Sequence, residues 1–198
     1  MRRALRGAAG VEVAVTGMGQ EAAARAAAEW VPRVRAVVVC GVAGGTGGVA
    51  RAGDVVIGDG LWIAPGVSGP PLAAVPLPGV VRGLVASVAT PVDGAEARAR
   101  LAAAGVVAVE TEAGAWAAAC SVARVPLAVV RGVLDTPEQP LGMAAGLVAP
   151  GEPGPTLRTL AHLGARPAAW PALWNLGRRA AEAERRAAEI AARVARSL

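Results

Sequence analysis

Apolar residues arrive in short runs separated by alanine-rich stretches, and the two kinds of segment alternate along the chain. Residues 11–15 read as a short β-type run, 20–30 as an alanine-rich helix, 34–40 as a second, buried strand and 55–63 as a third. After a change of character in the middle, 84–89 reads as a strand, 94–104 as a helix, 106–109 as a strand, 113–123 as a helix and 126–133 as a strand. Strands that alternate with helices predict an α/β fold. The arrangement expected is three-layer α/β/α around a central mixed, largely parallel sheet.

Two stretches interrupt the alternation. Residues 65–78 carry five prolines, which neither donate to a sheet ladder nor sit in a helix interior, so an irregular apolar loop is expected there, of the kind that often covers a site. A second loop is expected over 137–155. Beyond it, residues 172–198 place Leu173, Leu176, Ala180, Ala183, Ala187, Ile190, Val194 and Leu198 at spacings of three and four, the signature of a long amphipathic helix. Its other face carries Arg178, Arg179, Glu182, Arg185, Arg186 and Glu189. Such a helix docks on the sheet or, on the sharper alternative, rests a basic face on an anionic membrane.

Composition narrows the picture. A chain of 198 residues, 54% of them hydrophobic, closes one sizeable core, so a single domain over 1–198 is expected. The longest apolar run, 36–50, is bounded by Arg35 and Arg51 and falls short of the roughly 18 to 20 residues that span a bilayer. MRRALRGAAG lacks the unbroken apolar stretch of a secretion signal, and a cytoplasmic protein is expected. Cys40 and Cys120 sit in apolar context without metal-ligand spacing and read as reduced core thiols, and the lone His162 reads as structural, so neither a metal nor a cofactor is expected. The net charge of +5 comes wholly from arginine. These arginines are spread along the chain without tyrosine or phenylalanine beside them, which argues against nucleic acid as a partner.

Two glycine-rich turns are candidates for chemistry. TGMGQEA, with Gly17, Gly19 and Ala22, fits the G-x-G-x-x-G/A pattern, but a dinucleotide site wants an acidic residue about 20 positions on, where Cys40 stands. GVAGGTGG, residues 41–48, lacks the Gly-Lys-Ser/Thr ending of a phosphate loop. Its glycines either let backbone amides approach a ligand or make a tight crossover.

With VVVCGVAGGTGGVARAGDVVIGD and VAVETEAGAWAAACSVARVPLAVVRGVLD following TGMGQEAA, the chain resembles the nucleoside phosphorylase and nucleosidase superfamily, over most of residues 11–135. The group includes purine nucleoside phosphorylases and methylthioadenosine/S-adenosylhomocysteine nucleosidases. SVATPVDGAEARARL, LDTPEQPL and LRTLAHLGARPAAWPALWNLGRRA resemble more closely its hopanoid-biosynthesis members, thought to release adenine from adenosylhopane.

Cleaving a purine N-glycosidic bond passes through an oxocarbenium-like sugar and needs a proton for the departing base and a carboxylate for the ribose. The resemblance assigns these roles to Asp135 and Glu112. Asp135 follows an apolar strand, where desolvation favours a neutral, proton-donating carboxyl at purine N7. Glu112 matches the glutamate that bonds the ribose 2'-hydroxyl. Glu110 matches a supporting glutamate, and Thr111 stands where relatives carry a methionine against the sugar. Val42, Ala43 and Gly44 match residues bordering the base, Met18 an apolar contact near the sugar, and Thr90 loosely a base-contacting strand. Leu134 replaces a serine common beside the aspartate.

Phosphorylases of this group hold phosphate with an arginine and a serine where this chain has Val39 and Val42. Water is therefore the expected acceptor, and a homo-oligomer, by analogy a dimer, the expected assembly. The resemblance also implies a domain that lacks the usual first strand and the acidic loop after it, which helps activate the nucleophile. Three functions remain open: a nucleosidase for a 5'-substituted adenosine, a phosphorylase using Arg51 or Arg131 for phosphate, and a non-catalytic homologue.

Overall fold

The computed structural model describes residues 10–65, 67–92, 94–140 and 170–198. In chain order the elements are α1 (Gln20–Trp30), a 3-10 turn (Val31–Arg33), β1 (Val37–Gly45), β2 (Val55–Ala64), β3 (Val67–Ser68), β4 (Val81–Ser87), α2 (Ala95–Ala103), β5 (Val106–Glu110), α3 (Ala113–Ala123), β6 (Leu127–Asp135) and α4 (Trp170–Ala195). The α/β architecture is as the alternation predicts. The long ladders β1–β6, β2–β4 and β4–β5 are parallel, and the shorter pairings β1–β5, β2–β3 and β2–β6 are antiparallel. Because β6 also pairs with β2, the run β2-β4-β5-β1-β6 curls back on itself.

Alternation along the strands sorts the core into layers. Val37, Val39, Val129 and Val133 face α1 and α3 and pack with Ala23, Ala27, Trp116 and Cys120. Val38, Cys40, Ala128 and Val130 face the other way and meet Ala187, Ala191 and Val194 of α4. Leu101 of α2 covers a third patch with Ala86, Val106 and Val109.

The C-terminal helix docks on the sheet. Its approach depends on Gly132 of β6, where a Cβ would stand 2.3 Å from the Ala183 carbonyl oxygen. On the outer face Arg185 bridges Glu182 and Glu189, and Arg186 reaches back to the Gly53 carbonyl at 3.0 Å. Among the described residues, no helix is long and apolar enough to cross a membrane.

Three expectations change. Residues 11–15 are irregular, because a strand must pass its backbone N–H and C=O groups to a neighbour and none of the described strands pairs with them. The glycine-rich 41–48 is not one turn: Gly41, Gly44 and Gly45 lie inside β1, and the turn comes later, at Gly47 and Gly48, both with positive φ. Crowding favours glycine within β1, since a Cβ on Gly41 would lie 2.5 Å from Arg131 Nη1 and one on Gly45 3.0 Å from Val133 and Thr136. The proline-rich segment is irregular apart from β3, but its Leu72 and Val75 are buried and Ala73 N–H donates to the Leu127 carbonyl at 2.7 Å. It therefore covers the core at the start of β6, about 25 Å along the strand from Asp135. Of the loop expected over 137–155, residues 141–155 lie outside the described residues, as does His162.

Candidate active site

Glu110, Thr111 and Glu112 leave the end of β5 and start α3. The four orphan N–H groups of a helix start need acceptors, and here side chains supply three of them, the fourth, Ala115 N–H, donating to the Glu112 carbonyl at 3.2 Å. Glu110 Oε2 accepts from the N–H groups of Glu112 at 3.0 Å and Ala113 at 2.8 Å, and Ser87 Oγ, on the neighbouring β4, accepts from Gly114 N–H at 2.8 Å. Glu110 is buried and is also paired with Arg131 of β6. Its role is thus structural as well as electrostatic: it ties strand, helix and guanidinium together.

Glu112, the N-cap residue of α3, points its carboxylate across to the first glycine turn. Its Oε1 accepts from Gly19 N–H at 2.9 Å and from the Thr111 hydroxyl at 2.6 Å, and its Oε2 lies 3.3 Å from Arg131 Nη2. Gly19 presents that N–H from a backbone with φ of 88°, a conformation that side-chain-bearing residues rarely adopt. Burial pushes the Glu112 pKa up, but the Arg131 charge, the Thr111 hydroxyl and the Gly19 amide together outweigh it and hold the carboxyl below its ordinary value. Glu112 is therefore a carboxylate at neutral pH. Met18, beside Gly19, is partly exposed at this turn.

Asp135 ends β6 and is 3% exposed. The β1–β6 register slips between Ala43 and Gly44, skipping Leu134, so that Gly44 pairs with Asp135 on one side and with Val109 of β5 on the other. One strand thus separates Asp135 from the end of β5, and adjacent strands lie about 4.8 Å apart. The two carboxylate-bearing strand ends therefore stand on the order of 10 Å from each other. The desolvation expected at Asp135 is present, but so is a cation: Arg98 Nη2 of α2 lies 2.5 Å from Asp135 Oδ2.

Among the other expected site residues, Val42, Ala43 and Gly44 lie in β1 beside Gly132, Val133 and Asp135, with Ala43 packed into the core. Leu134 is half-buried in β6. Thr90 lies in a bend after β4, exposed, and not in a strand. Two concavities, of about 340 and 400 Å³, open elsewhere: one beside the proline-rich segment at the start of β6, the other between residues 10–16 and the start of β1. Neither is lined by Glu112 or Asp135.

Cys40 and Cys120 are free thiols. Burial pushes each up to about 11, so both stay protonated and poorly nucleophilic. Two residues central to this geometry were not assigned to the carboxylates from sequence. Arg131 had a signal, since a charge inside the apolar run LAVVRGVL must find a buried partner. Arg98 had none, being one of several arginines in a surface-type helix.

No protein-family model matches the chain, and no curated protein matches its sequence. A solved structure does: a 5'-methylthioadenosine/S-adenosylhomocysteine nucleosidase from Colwellia psychrerythraea, in complex with adenine, aligns with a TM-score of 0.53 at 25% identity over 63% of this chain. The fold is that of the nucleoside phosphorylase and nucleosidase superfamily. The aligned part spans 66% of the Colwellia chain, just under two thirds of its length. An S-adenosylhomocysteine nucleosidase from Streptococcus pyogenes, in complex with 5-methylthiotubericidin, shares this nucleosidase fold with a TM-score of 0.54 and 21% identity, over 88% of this chain and 76% of that one. A mutant futalosine hydrolase of Helicobacter pylori shares it at 0.51 and 19%, over 64% and 69%.

Proposed function

We propose that the protein is a purine nucleosidase that hydrolyses the N-glycosidic bond of a 5'-substituted adenosine and releases adenine. The observation that carries this is the pairing, at one end of the sheet, of a carboxylate kept ionised, Glu112, with a buried carboxyl, Asp135. In the proposed reaction Glu112 accepts a hydrogen bond from the ribose 2'-hydroxyl and favours the positive charge that builds on the sugar. Asp135 gives its proton to purine N7 as the C1'–N9 electron pair leaves with the base. Water adds to C1' and loses a proton, completing hydrolysis. In this reading Met18 contacts the sugar, Thr111 supports Glu112, Val42, Gly44 and Leu134 border the base with Ala43 behind them in the core, and Thr90 is its outlying contact.

Water as acceptor is supported by the engagement of Arg131, whose Nη2 is shared by Glu110 and Glu112. Methylthioadenosine, S-adenosylhomocysteine and adenosylhopane are the substrates to compare, with the hopanoid compound suggested by the sequence resemblance alone. The test is adenine release from each, with and without phosphate. Release without phosphate is expected. Dependence on phosphate would make the protein a phosphorylase, and silence on all substrates would leave a non-catalytic homologue. Asp135→Asn is expected to slow release by about 10²- to 10⁴-fold, and a full rate in that variant would remove Asp135 as the acid.

A further inference from the structure

We propose that Arg98 is a second leaving-group residue: its guanidinium stabilises the negative charge that develops on the departing base, beside the carboxyl of Asp135. This rests on the nucleosidase reading above and deepens it. Arg98 projects from α2 and is nearly enclosed, with 12% of its side chain exposed. Two backbone carbonyls and one side chain fix it. Nη1 donates to the Gly45 carbonyl at 3.1 Å, Nε to the Val92 carbonyl at 3.3 Å, and Nη2 pairs with Asp135 at 2.5 Å. The flat face of the group lies on Gly44, where a Cβ would come within 3.2 to 3.3 Å of Nη2, Cζ and Nη1. A side chain at position 44 would therefore press on the guanidinium and shift it by a few tenths of an ångström.

Chemistry explains why a cation suits that place. When C1'–N9 breaks, the electron pair moves onto the purine, and a base leaving without full protonation carries negative charge into a site from which water is largely excluded. Fixed donors aimed at a developing charge are worth more there than in water. Guanidinium has five N–H donors and no acceptor. Three carry the contacts described, which leaves donors for acceptor nitrogens of the base without breaking the frame. Arg98 transfers no proton; Asp135, ion-paired at rest, takes up a proton from water and passes it to N7, and the guanidinium stabilises the charge on the base that this proton does not neutralise.

The test compares wild type with Arg98→Met and Arg98→Lys on two leaving groups. Adenine nucleosides need help to depart; 4-nitrophenyl β-ribofuranoside leaves as a stable phenolate and needs little. Arg98→Met is expected to lower kcat for adenine release at least tenfold, with KM changed little, to leave nitrophenolate release near wild type, and to be partly restored in Arg98→Lys. Titration of adenine by calorimetry gives a readout free of turnover, and Arg98→Met is expected to bind it at least tenfold more weakly. Equal loss on both leaving groups with unchanged adenine binding would make Arg98 merely structural and overturn the proposal, as would full activity in Arg98→Met. An inactive wild type would instead overturn the nucleosidase reading, and this inference with it.

Discussion

Arg131 Nη2 lies 3.3 Å from Glu112 Oε2 and is also paired with Glu110, so one buried guanidinium holds two carboxylates that stand two residues apart. It does so from the middle of β6, while the carboxylates leave the end of β5, and the contact links the two strands across β1. Counting Arg98 and Asp135, two guanidinium groups face three carboxyl groups at this end of the sheet.

Arg131→Met is expected to be strongly destabilising. It strands Glu110, whose side chain is 1% exposed, without its cation. Breaking a buried pair by removing one partner costs about 3 to 5 kcal/mol, which for a domain of this size lowers Tm by roughly 6 to 20 °C. Thermal unfolding measures it. The double variant Arg131→Met with Glu110→Gln should recover part of the loss, because the orphaned charge is then gone.

Glu112→Gln tests the ionised state. The folded pKa of Glu112 is depressed below its ordinary 4.5, so its charge stabilises the fold above that pH, and the contribution is lost as pH falls through the folded value. Wild-type Tm should therefore drop more steeply than that of Glu112→Gln on acidification below 4.5. Parallel curves would show that the three donors around Glu112 do not favour its charge.

Thr111→Val removes the hydroxyl that donates to Glu112 at 2.6 Å while keeping the side chain's shape. A hydrogen bond to a charged group contributes about 1.5 to 3 kcal/mol, so on the proposed function kcat/KM should fall about tenfold or more. Steady-state adenine release on Thr111→Val and Thr111→Ser separates loss of the donor from change of shape, since serine should keep most of the rate.

Gly132→Ala probes how α4 is seated. The added Cβ would overlap the backbone of Ala183, a part that cannot rotate away. Overpacking a tight contact costs about 1 to 3 kcal/mol, occasionally more, giving a Tm loss of roughly 2 to 12 °C by thermal unfolding. An unchanged Tm would mean that the helix sits farther from the strand.

The chain by itself determined the alternation of elements. Residues 20–30 and 113–123 coincide with α1 and α3, and the strands were found to within a few positions, because period-2 and period-3.6 patterns are local properties of sequence. It also marked ETE at 110–112 and Asp135 through their resemblance to a known group. Tertiary structure alone decided who faces whom. Residues 11–15 have a strand's composition but not a strand's structure, since pairing depends on a neighbour that composition does not supply. Gly41, Gly44 and Gly45 looked like a turn and are strand, because arginines from β6 and α2 lie against Gly41 and Gly44 and the side chains of Val133 and Thr136 crowd Gly45. The 93 positions between Gly19 and Glu112, and the ion pairs of Arg98 with Asp135 and Arg131 with Glu110, are likewise invisible to periodicity. Charges settle by proximity in space, and only the curled sheet brings these together.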